Sequence, residues 1–165
     1  MEMDPYFDRL RAGGADLVVE IEPERVVTAP WTIYKCKFGC PVYGTSWCCP
    51  PNTPTYRETR AILDSFRRAV LFRTHAPSTV TPLAAALVRE LFLDGYYKAI
   101  GFGDGDCQLC GKCAADHCRF PGRTVPSMEA CGIDVFATVR DHGLEIRTLR
   151  ERSEEHNHFG LVLVE

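Results

Sequence analysis

Eight of the nine cysteines in this 165-residue chain fall into two short runs: Cys36, Cys40, Cys48 and Cys49, then Cys107, Cys110, Cys113 and Cys118. Cys131 stands alone. No other feature restricts the fold as much, because each run needs irregular backbone that lets several thiols converge. The stretch MEMDPYFDRLRAGG at the start is acidic and has no apolar signal-peptide segment, so a cytoplasmic location is expected. Thiols stay reduced there, and clustered cysteines then point to metal or redox chemistry rather than to disulfides.

The second run reads CQLCGKCAADHCRFP, a C-x2-C-x2-C-x4-C-R-x-P pattern. Three cysteines at successive spacings of three form a tight cup of backbone. Bacterial ferredoxin loops use C-x2-C-x2-C-x3-C-P for 4Fe-4S clusters, one residue shorter before the last cysteine. Structural zinc draws instead on two separated C-x2-C or C/H pairs. The polar neighbours Asp104, Asp106, Lys112 and Asp116 do not suit four incidental core thiols. A 4Fe-4S cluster on Cys107, Cys110, Cys113 and Cys118 is therefore expected, with zinc as the alternative.

The first run, C-x3-C-x7-CC-P-P, is less regular. Cys36 and Cys40 can share a metal if Phe38 and Gly39 turn tightly. The adjacent Cys48 and Cys49 point opposite ways in extended backbone, and Pro50 favours that geometry at Cys49. Cys49 is the expected ligand, since its Cys-Pro step resembles the ferredoxin pattern; Cys48 is left as a spare thiol, a core residue or a ligand elsewhere. Cys131 is the candidate fourth ligand, expected in the first turn of a helix whose dipole favours a thiolate. The alternative is an inert thiol on that helix's apolar face. With three ligands only, one iron would stay open for chemistry.

The five histidines show no zincin spacing; His117 beside Cys118 is a possible substitute ligand, and neither a P-loop nor a Ser-His-Asp pattern is present. GFGDG (101–105) reads as a flexible lead-in to Cys107. No catalytic residue can be named. Arg119, Arg123 and Tyr43 are the candidates for orienting a small anionic group near the cysteines.

Strands are expected over 17–21, 25–29, 31–35, 69–75, 97–102, 144–149 and 159–164 from apolar and β-branched runs. Helices are expected from Thr53 or Thr55, where Thr55 and Glu58 have capping-box spacing, from Thr81-Pro82 to Gly95, and from Ser127 to Gly143. This order predicts a mixed α/β (α+β) single-domain sandwich over residues 1–165. It has a mixed sheet, about three helices and both cysteine loops (36–49 and 107–118) at one end. With 45% hydrophobic and 25% charged residues the composition is that of a globular domain, and no apolar run is long enough to span a bilayer. A formal charge of −3 gives no footprint for nucleic acid.

Taken together, Cys36, Cys40, Tyr43-Gly44, Cys49-Pro50-Pro51, Gly95-Tyr96-Tyr97-Lys98-Ala99, the Cys107–Pro121 pattern and Pro126–Val135 resemble a prokaryotic family of cysteine-rich "predicted metal-binding proteins". The resemblance spans about residues 30–145. It implies metal binding and favours Cys131 as a functional position, but names no reaction. Two 4Fe-4S clusters would bring the charge to about −7 and suit electron transfer with a basic redox partner protein. The alternatives are an iron–sulfur enzyme with an open iron acting on a small anion, and a zinc-binding adaptor. Nothing in the residues fixes the oligomeric state.

Overall fold

The structure is a computed structural model and describes residues 2–165. Four strands, β1 (Leu17–Ile21), β2 (Ala69–Thr74), β3 (Ile100–Phe102) and β4 (His158–Leu163), form one sheet in the order β1-β2-β4-β3. Five helices accompany them: α1 (Asp4–Ala12), α2 (Trp31–Gly39), α3 (Tyr56–Leu63), α4 (Val80–Leu93) and α5 (Val135–Asp141). The class is the mixed α+β one expected, with two more helices than anticipated.

The sheet is antiparallel in every strand pair, not mixed. β2 and β3, joined through α4, run parallel to each other, as a β-α-β unit requires. β4 slots between them and opposes both, so no parallel pair forms. This is a split β-α-β arrangement. The central strands β2 and β4 are buried on both faces, which explains their unbroken apolar runs AVLF and LVL.

Side chains alternate between two cores. On one face Val18, Val70, Phe72 and Val162 pack against Leu10 of α1 and Leu87 and Leu91 of α4. On the other, Ile21, Leu71, Leu161 and Leu163 meet Leu63, Met128, Cys131, Ile133 and Val139. Gly160 lies opposite Phe72, and a Cβ there would come within 2.5 Å of the ring.

Several expected elements differ. Residues 31–35 are helical: Trp31, Tyr34 and Phe38 lie on the exposed side of α2 and Thr32 is the buried residue, so their β-favouring side chains do not pack in a sheet. Residues 23–25 form a 3₁₀ turn, and only Thr28 of the expected 25–29 strand pairs, in a bridge with Ile133. The strand expected over 97–102 shortens to Ile100–Phe102, and 144–149 pairs with nothing, although Leu144 and Ile146 rest on the second core. The acidic start of the chain forms α1, burying Tyr6 and Leu10 one turn apart.

The helix expected over 127–143 breaks at Gly132, which takes φ +81° and ends a 3₁₀ turn over Glu129–Cys131. A Cβ at Gly132 would lie 2.5 Å from the Tyr56 backbone. α5 then starts afresh, its Ala137 N–H capped by Asp134 Oδ1. Cys131 therefore precedes that helix by four residues, and the expected helix dipole does not act on it. Among the described residues no helix is long and apolar enough to cross a membrane.

Candidate metal centre

Both cysteine loops are tied to the fold by short anchors, the first by helices and the second by the backbone around β3. The second is pinched at its base, where the Gly103 N–H donates to Pro126 O at 2.8 Å and the Met128 N–H to Gly103 O at 3.0 Å. Between those points the chain is irregular and carries Cys107, Cys110, Cys113 and Cys118. The first loop is delivered by α2, which bears Cys36 and ends just before Cys40, and it re-enters at the α3 capping box of Thr55 and Glu58.

The two loops touch. The Trp47 N–H donates to Cys113 Sγ at 3.3 Å, and Asn52 Nδ2 donates to Ala115 O at 3.2 Å. A second N–H, from Ala115, reaches Cys113 Sγ at 3.4 Å, and the Thr124 hydroxyl donates to Cys107 Sγ at 3.3 Å. The N–H of Trp47, then that of Ala115, and the charge of Arg119 hold the Cys113 thiol below its ordinary value.

The adjacent thiols face different places. Cys48 lines the cleft of the second loop together with Cys107, Cys110, Cys113 and Cys118. Burial pushes its thiol up to about 11, with Cys107 and Cys118 adding to the shift. Cys49 turns toward the first loop, its Sγ 3.7 Å from Val42 O, and lies within electrostatic reach of Cys36. Cys36 is raised by burial first, then by Cys40, Glu129 and Cys49.

Cys131 lies between the two groups, fully buried against Met128. Burial pushes it up to about 12, and Cys48, Glu129 and Cys36 add to the shift. The turn that carries it is held from the first loop and α3: Thr53 Oγ1 donates to Ala130 O and Thr59 Oγ1 to Cys131 O, both at 2.6 Å. Glu129 on the same turn is raised to about 7 by burial and by Asp104. It borders a cavity of about 610 Å³ walled by Trp31, Lys35, Ile133, Phe136 and Phe159.

Arg119, Arg123 and Tyr43 do not share a cavity. Arg119 borders the second-loop cleft and donates to Lys112 O at 3.4 Å. Arg123 stacks on Phe120 and faces a different cavity. Tyr43 turns back on its own loop through its N–H to Cys40 O. Thr124, Glu129 and the place of Cys48 escaped sequence reasoning; only for Cys48 did a signal exist, in the opposed directions of an adjacent pair.

A family model described as "Predicted metal-binding protein (DUF2284)" matches residues 19–164. The chain belongs to this family. No curated protein and no solved structure matches it. The match takes in both cysteine runs and Cys131. Among the described residues, no group of three or more His, Cys, Asp or Glu is already gathered as a metal-ion site. The donor chemistry nevertheless suits a thiolate-bound metal in this predicted metal-binding family: five thiols line one cleft, with N–H and O–H groups directed at two of the sulfurs.

Proposed function

We propose that the protein is a small single-domain iron–sulfur electron carrier of the cytoplasm. One 4Fe-4S cluster would be held by Cys107, Cys110, Cys113 and Cys118, and a second by Cys36, Cys40, Cys49 and Cys131. The observation that carries this reading is the hydrogen bonding to sulfur, two N–H groups on Cys113 and a hydroxyl on Cys107. Such donors favour thiolate over thiol and are among the levers that set cluster potentials. When bound, the clusters supply one-electron chemistry; the chain's residues hold the thiolates and limit water.

A partner surface supports the same reading. α2 exposes Trp31, Tyr34 and Phe38 (48%, 65% and 68%) beside Cys36 and Cys40. Between Ala29 and Tyr56 the only charged residues are Lys35 and Lys37. Lys35 and Lys37 offset the −2 charge that a bound 4Fe-4S cluster would bring, so the face around the first loop offers a partner an apolar patch of near-neutral charge.

Anaerobic purification from iron-replete cells tests the reading. Brown protein with about eight irons and matching acid-labile sulfide per chain is expected. Colourless protein with stoichiometric zinc and no sulfide would remove it.

A further inference from the structure

The cleft of the second loop holds one thiol more than a four-iron cluster uses. Cys48 reaches it from the first loop and lines it together with Cys107, Cys110, Cys113 and Cys118. The space left in this cleft is about 20 Å³, room for roughly one water molecule.

Within the cleft Cys48 and Cys107 share a neighbour. The Thr124 hydroxyl lies 3.3 Å from Cys107 Sγ and 4.0 Å from Cys48 Sγ. Of the other thiols, Cys107 acts on Cys48 first and Cys118 second, and Cys107 is also its hydrogen-bonding partner. Two further sulfurs are engaged elsewhere. Cys113 Sγ accepts the N–H groups of Trp47 and Ala115, and Cys49 turns away to Val42 O. Cys48 and Cys107 are both half-buried, so a small oxidant can reach them.

We propose that Cys48 and Cys107 form a reversible disulfide when the second centre loses its metal, tying the two loops together and withholding Cys107 from new metal. The oxidant is a small-molecule disulfide. The Cys107 thiolate attacks one of its sulfurs and expels a thiolate. The Cys48 thiolate then attacks the Cys107 sulfur of the mixed disulfide and expels the second. The two protein thiols give up two protons and two electrons, which reappear as two molecules of small thiol. Bound metal blocks the first step, because the Cys107 sulfur is then engaged. The bond also spares Cys107 the irreversible sulfinic and sulfonic stages of oxidation. The inference rests on the second run's being a metal centre, whichever metal it takes; it does not need electron transfer.

The test incubates the full chain as purified with limiting oxidised glutathione, with and without a chelator. Free thiols are then alkylated and the disulfides located by tandem mass spectrometry. A Cys48–Cys107 bond is expected to form first, and only where the chelator is present. The oxidised chain should then take up about half the iron and sulfide of the reduced chain, and dithiothreitol should restore the rest. Cys48→Ala should keep its uptake after the same treatment, and Cys48→Ser serves if that variant does not fold. A first bond between Cys107 and Cys110, or between any other pair, would overturn the proposal. So would an equal loss of uptake in Cys48→Ala and the unaltered chain. Because the bond is read by mass, a chain that holds zinc in place of iron fails the proposed function and still tests this pair.

Discussion

Two residues decide how the site is assembled, Gly132 and Cys48. Gly132→Ala must accept both φ +81° and a Cβ within 2.5 Å of the Tyr56 backbone. The conformation alone costs about 1–2 kcal/mol, and the contact adds to it. Urea denaturation should show a lower midpoint with an unchanged slope, and metal content should fall because the Cys131 turn is displaced. Cys110→Ala should lose about half the iron, while Cys48→Ala should keep most of it; equal losses would place Cys48 among the ligands. At this scale the sequence was legible where the cause was local, as with the Thr55–Glu58 capping box. It was not legible at Gly132, because a glycine within a helical pattern is tolerated and only the distant Tyr56 backbone makes it obligatory. Nor could the chain order show that Cys48 meets cysteines some sixty residues away.

The elements differ in how they are tied down, and each tie has its own signature. α3 holds the Cys131 turn through the Thr59 hydroxyl, which is fully buried. Thr59→Val keeps the shape but strands the Cys131 carbonyl, at a cost of about 1–3 kcal/mol read by thermal denaturation. At the β1–β2 edge, hydrogen bonds from Arg73 first and His75 second pull the Asp16 carboxyl down to about 2. Unfolded aspartate ionises near 4, so this contribution is complete above that pH and fades as pH falls toward 2. His75 works in the opposite sense. Its ring is raised, chiefly by the His156 carbonyl and then by Asp16, so its contribution is present at low pH and disappears as pH rises through the folded value. Asp16→Asn should therefore lower the melting temperature at pH 6 and flatten the acid limb between pH 4 and 2. β2 and β4 were readable as runs of apolar residues because both faces are covered. α2 was not, because its aromatics face solvent and its buried residue is a threonine, the inverse of the pattern that marks an amphipathic helix.

In the molecule as a whole the apolar cores flank the sheet, while both cysteine loops are irregular and joined to each other by few hydrogen bonds. Removal of metal under denaturant-free conditions should raise amide exchange in residues 40–53 and 104–125 and leave β2 and β4 protected. Loss of protection across the sheet would show that the thiol loops carry the fold. The class of fold was readable from the succession of strands and helices, but the strand order was not, because pairing of β4 with two strands far upstream leaves no local mark. That strand order also bears on how the protein is made. β2 and β3 belong to no common sheet until the strand at 158–163 arrives between them, and by then every cysteine has been made. From Cys131, the last cysteine, to the end of that strand roughly 32 residues must still be added, a few seconds at about 5–20 residues per second. Throughout that interval nine thiols are in the chain with no completed sheet beneath them, so oxygen and premature cross-linking threaten them most before that strand is added.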